Sequence, residues 1–186
     1  MTVFITISRG MIARNLLQGE FYKLVLKHFK KVVIITTSAS DVRFVKEFGA
    51  PNVDIVPMIK EQDSFWDRIV LHLNRLFIFN ESTVGHMLYR YIVPPTRLSW
   101  LIKYLKFTLV RIVFQPLSKL SIMRRFIQWF DYRFLQKQAV AQYEKLIEKY
   151  NPNTIFVGNM LDESALLKAA RKKKIHSIAM PKSWDN

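Results

Sequence analysis

The residues able to do chemistry in this chain recur where apolar runs stop. Ser8, Arg9, Gly10, Arg14 and Asn15 follow the run at 3–7, and Thr37 and Ser38 close the run that starts at 32. Asn159 and Asp162 follow 154–157, and Ser183, Trp184, Asp185 and Asn186 follow 176–180. Arginine presents a planar cation that matches phosphate, while amides and carboxylates bond sugar hydroxyls. An arginine beside a carboxylate in a cleft binds a phosphate or positions a sugar hydroxyl; equally, it forms an ordinary structural ion pair. The sequence leaves both open.

Several chemistries have no support. There is no GxxxxGK[ST] loop, and the first turn holds one glycine where a dinucleotide fingerprint has three. HExxH and GxSxG are absent, and with no cysteine there is neither a thiol nucleophile nor a thiolate metal site. His72 and His86 lack a ligand at i+4 and read as structural residues. No metal and no cofactor is expected.

The elements that must position these residues follow from pattern. Residues 3–7 are β-branched and apolar and too short for a buried helix, so they read as a strand. Met11 begins a helical pattern expected to run to Phe29, with Ile12, Leu16 and Leu17 on one face. Strands follow at 32–37 and 53–57, separated by a helix over 42–48 that Asp41 is placed to cap. A helix over 136–150, a strand at 154–157, a helix from the acids Asp162 and Glu163 to Lys174 and a strand at 176–180 complete the alternation. Acids at that helix start suit its dipole. This is an α/β chain with an open parallel sheet of five strands, order 3-2-1-4-5, whose first and fourth strands flank the switch point where ligands bind. Arg9, Gly10 and Asn15 are thereby expected near Asn159 and Asp162.

Between about 60 and 134 the character changes to helical, basic and apolar. Helices are expected over 63–80 and up to Tyr91, where Pro94 and Pro95 stop them. Over 97–134 a dense apolar surface carries Trp100, Tyr104 and Trp129 and is interrupted by Lys103, Lys106 and Arg111, with Lys119, Arg124, Arg125 and Arg133 following. Those cations argue against a bilayer-crossing helix and fit an amphipathic helix in the headgroup layer. Burial of the same face against neighbouring helices or another domain is the competing reading. The whole chain of 186 residues has 29 Lys+Arg against 14 Asp+Glu, a net charge of +15, with 50% hydrophobic and 13% aromatic residues. Such a balance attracts polyanions. Because the cations accompany long apolar side chains at helical spacing, an anionic membrane surface is expected before nucleic acid. The N-terminus has no signal-peptide pattern, so the expected location is cytoplasmic, peripheral on the inner face of the cell membrane.

The ending Ile175-His176-Ser177-Ile178-Ala179-Met180-Pro181-Lys182-Ser183-Trp184-Asp185-Asn186, after Ala169-Ala170 and a basic run, resembles a motif of bacterial surface-carbohydrate glycosyltransferases of the GT-B type. CDP-glycerol glycerophosphotransferase-like and nucleotide-sugar epimerase-like proteins have a comparable architecture. The opening Ile5-Thr6-Ile7-Ser8-Arg9-Gly10-Met11-Ile12-Ala13-Arg14-Asn15 is similar to the first strand and loop of the same group. The resemblance covers both ends of the chain and nothing between Lys60 and Phe134.

It implies that residues 1–186 are a single Rossmann-like domain, the N-terminal half of a GT-B fold, with the C-terminal donor-binding domain absent and little activity without it. The implied reaction moves a sugar from a nucleotide-sugar to a lipid-linked or cell-surface glycan acceptor without a bound metal. Asp162 and Asp185 are then the candidate bases, and Arg9 and Arg14 the contacts to acceptor phosphate. Ser8, Gly10, Asn15, Asn159, Ser183, Trp184 and Asn186 complete the binding edge. A basic nucleic-acid module and a non-catalytic subunit that docks a separate donor domain are the rival functions.

Overall fold

β1 (Thr2–Ile7) and β2 (Lys31–Thr36) lie at the heart of the sheet, with five of the six residues in each buried, so neither face meets water. The computed structural model describes residues 1–59, 119–159 and 163–180, with 64, 65, 67, 101, 102, 104, 105, 108, 109, 112, 113, 116 and 117. Its elements are α1 (Gly10–Leu17), α2 (Glu20–His28), α3 (Val42–Phe48), β3 (Val53–Pro57), α4 (Ser121–Phe134), α5 (Lys137–Tyr150), β4 (Thr154–Val157), α6 (Ser164–Lys172) and β5 (His176–Ala179). The strands make one all-parallel sheet in the order β3-β2-β1-β4-β5. This is the open α/β, Rossmann-like arrangement expected from the strand runs.

Strand periodicity sorts the core into two layers. Phe4, Val33, Ile35, Ile155 and Val157 pack with Ala139, Val140, Tyr143 and Ile147 of α5 and with Ala165, Leu166 and Ala169 of α6. Val3, Ile5, Ile7, Val32 and Ile34 point the other way, onto Ala13, Leu16 and Leu17 of α1, Tyr22 and Val25 of α2, and Phe48. Asp41 caps α3 as expected, its carboxylate accepting from the Arg43 N–H at 2.9 Å. At the amino ends of β2 and β3, Lys31 and Asp54 pair at 2.6 Å, and that hydrogen bond holds the Asp54 carboxyl below its ordinary value. With both side chains about a third exposed, the pair adds little stability.

The single helix expected over 11–29 is two helices, broken at Gln18 and Gly19. At 3.6 residues per turn, Ala13, Leu16 and Leu17 would lie nearly opposite Tyr22 and Val25 on one continuous helix. All five are buried, so the chain must turn between the two sets. It does so at Gly19, which is extended (φ −98°, ψ −178°) and opens α2 in front of Glu20.

Tyr22 anchors α2 by donating its hydroxyl proton to the Phe48 carbonyl. Burial pushes its pKa up to about 12. An unfolded tyrosine ionises near pH 10, so Tyr22 contributes stability that is fully present below pH 10 and is lost as pH rises through 12. Tyr22→Phe is expected to cost about 1 kcal/mol at neutral pH by orphaning the Phe48 carbonyl. It should also flatten the fall in urea midpoint above pH 10, which alkaline unfolding curves would read.

The chain divides into two units, Met1–Gln62 with Gln136–Asn186, and Asp63–Leu135. In the second, Ser64 and Asp67 exchange bonds, the Ser64 N–H donating to Asp67 and the Asp67 N–H to the Ser64 hydroxyl. α4 is the one helix of that unit with a described extent, and none of its 14 residues is buried. Among the described residues, no helix is long and apolar enough to cross a membrane.

Candidate functional site

The carboxyl ends of β1 and β4 are adjacent strand ends at the point where chain order reverses, which is where open α/β sheets hold ligands. Thr6, the second-to-last residue of β1, is fully buried and ties the two ends together. Its hydroxyl accepts from the Gly158 N–H at 2.9 Å and donates to the carboxylate of Glu163. A hydroxyl has one proton, and a carboxylate is the strongest acceptor in reach, so the longer approach to the Phe156 carbonyl, 3.4 Å, is secondary.

Around this tie stand the polar residues of the two strand ends. Ser8 follows β1; its hydroxyl oxygen is enclosed without a hydrogen-bond partner, and its carbonyl accepts from the Thr37 hydroxyl at 3.5 Å. Arg9 is the extended N-cap of α1, and its carbonyl accepts from the N–H groups of Ile12 and Ala13. Gly10 opens α1 with nothing within 4 Å of where a Cβ would stand, so the helix start is uncrowded. Across the switch point, Gly158 is tightly enclosed and Asn159 is buried.

A second layer of polar bonds fixes the first turn of α6. Gln136, in the left-handed region at φ 58°, accepts from the Ser164 hydroxyl at 2.9 Å and from the Lys168 ammonium at 3.0 Å. Lys168 is itself buried, its cation held by this acceptor one turn beyond Ser164.

The structure thus gathers Ser8, Arg9, Gly10 and Asn159 at one edge. Arg14 and Asn15 lie on the exposed side of α1, more than a turn beyond its start. Asp162, Asp185, Ser183, Trp184 and Asn186 lie outside the described residues, as do Trp100, Lys103, Lys106, Arg111, His72 and His86. Arg124 and Arg125 are exposed on α4. Among the described residues there is no group of three or more potential ligands placed to hold a metal ion.

Two residues of the edge escape sequence reasoning, Thr6 and Glu163. The pattern reads Glu163 only as an acid that suits a helix dipole; it is the N-cap residue of α6 and only 1% exposed. The one available signal was Thr6 itself, a polar side chain inside an otherwise apolar strand, which when buried needs a partner.

The fold and this edge define an open parallel α/β domain of the Rossmann-like class with a polar switch point. No protein-family model, curated protein or solved structure matches the chain.

Proposed function

We propose that the chain is the acceptor-side, N-terminal domain of a GT-B type glycosyltransferase, working at the inner face of the cell membrane. It moves a sugar from a nucleotide-sugar, held by a second domain, onto a lipid-linked or cell-surface glycan acceptor. The observation that supports this reading best is the edge formed by Ser8, Arg9, Gly10 and Asn159 over the Thr6–Glu163 tie. An uncrowded helix start beside an arginine favours a phosphate-bearing ligand.

In the reaction, a general base removes the proton of the acceptor hydroxyl while its oxygen attacks the anomeric carbon. The bond to the nucleoside diphosphate breaks, and that group leaves with the electron pair. Asp162 and Asp185 are the base candidates in this reading, and Arg9 meets acceptor phosphate. A nucleic-acid module is disfavoured, because helices pack on both faces of the sheet and leave no central platform on which bases stack.

The test is transfer of label from a panel of radiolabelled nucleotide-sugars to lipid-extractable and polymeric fractions of cell membranes, using protein expressed from its gene in full. Wild-type protein is expected to transfer label. Arg9→Ala, Asp162→Asn and Asp185→Asn are expected to lower the rate about a hundredfold where the residue is the base and about tenfold where it binds phosphate. Absence of transfer from every nucleotide-sugar overturns the reading. Full turnover in both aspartate variants overturns the assignment of the base.

A further inference from the structure

α4 and α5 have the same length, 14 residues, yet α5 buries Ala139, Val140, Tyr143 and Ile147 while α4 buries nothing. α4 is not polar: it carries Ile122, Met123, Phe126, Ile127, Trp129, Phe130 and Phe134. Its most exposed apolar residues are Ile122 (74%), Phe126 (54%) and Trp129 (54%). At 100° per residue these three fall on one stripe at i, i+4 and i+7. The Phe126 and Trp129 rings lie 6.0 Å apart on it, tilted by 32°, and Trp129 meets Phe134 edge-on at 5.7 Å.

Charge around the stripe is of one sign. Arg133 continues it at i+11, and Arg125 borders it beside Trp129; both are exposed. Asp131, the helix's one acid, lies on the opposite side with Arg124. An aliphatic and aromatic stripe fringed only by cations is complementary to a surface that is apolar inside and anionic at its rim, and an anionic bilayer has that construction. A helix of 14 residues spans about 21 Å, short of the roughly 30 Å hydrocarbon core, and its three arginines keep it in the interface plane. Leu105, Leu109 and Ile112, also helical and exposed, repeat the i, i+4, i+7 spacing earlier in this unit.

We infer that α4 is an interfacial membrane helix, with Ile122, Phe126 and Trp129 inserted below the headgroups of an anionic bilayer and Arg125 and Arg133 on lipid phosphates. The inference rests on the membrane location proposed above and not on the transfer chemistry. It assigns that location to one face and separates Arg125 from Arg124.

The test is flotation of the full chain with phosphatidylcholine vesicles, with and without phosphatidylglycerol, at low and high salt. Wild-type chain is expected to float on the anionic vesicles only, and partly to resist salt. Phe126→Ser with Trp129→Ser is expected to weaken binding about tenfold or more, the factor for burying one aromatic side chain. Arg125→Gln with Arg133→Gln should remove the preference for anionic lipid, while Arg124→Gln leaves it. A variant keeping Trp129 alone (Trp66→Phe, Trp100→Phe, Trp184→Phe) should shift its emission to the blue on anionic vesicles. Wild-type chain that floats on no vesicle overturns the inference and the membrane location together, and leaves a protein partner as the occupant of the stripe. Wild-type flotation with an unshifted Trp129, or undiminished in the Phe126/Trp129 double variant, overturns the inference alone.

Discussion

Gly158→Ala is expected to lower the stability of the α/β unit by about 3 kcal/mol, with the loss read as a fall in the urea midpoint at unchanged slope. The cause is space, since no glycine of the described residues has positive φ. A Cβ at Gly158 would stand 2.6 Å from Ile12 Cγ2 and 2.7 Å from the Thr6 carbonyl oxygen. The isoleucine methyl has some freedom to turn away. The carbonyl has none, because it belongs to β1, the strand paired with both β2 and β4. Relief therefore means moving Gly158 off Thr6, which breaks the bond from its N–H to the threonine hydroxyl. Gly10→Ala is the matched control. It adds the same methyl where nothing lies within 4 Å and where the residue is already helical, and a change within about 0.5 kcal/mol is expected.

Glu163→Ala is expected to cost a comparable amount, about 3 kcal/mol, for a different reason. The Thr6 hydroxyl would lose its acceptor in a place that water does not reach, and the emptied carboxylate site would be left between β1 and the start of α6. Glu163→Gln keeps an acceptor oxygen of the same shape and should cost about 1 kcal/mol. Thermal unfolding of the pair separates the two contributions: a large loss in alanine with recovery in glutamine assigns the cost to the missing acceptor. Equal losses in both would instead assign it to the charge. Either variant should also disturb Ser8 and Arg9, since Thr6 ties the end of β1 to the loop that follows β4.

Arg14 and Asn15 stand further back on α1 than the residues of the strand end. They are close in sequence to Ser8, Arg9 and Gly10, but a helix carries each residue about 1.5 Å further from the strand ends. Arg9 and Gly10 stay at the edge because they stand at the helix start. The break at Gly19 was in fact encoded, in the mismatch between the apolar faces of α1 and α2. Reading one helix there meant following apolar content without following its phase.

The amino-acid sequence by itself determined the strands, their parallel order and the cap on α3. Each depends on short-range properties: β-branched runs that exclude water on both faces, crossovers long enough for right-handed connections, and an aspartate one residue ahead of an apolar helix. Only the tertiary structure decided that Glu163 is buried while the aromatic stripe of α4 is not. The reason is the same for both. Whether a side chain meets water depends on what is folded against it, and the partner of Glu163 lies 157 residues earlier in the chain. Local pattern therefore leaves open whether an acid at a helix start is buried and whether an apolar helical stripe is packed against its neighbours. Here Glu163 is buried against Thr6 at the switch point, and Ile122, Phe126 and Trp129 are exposed.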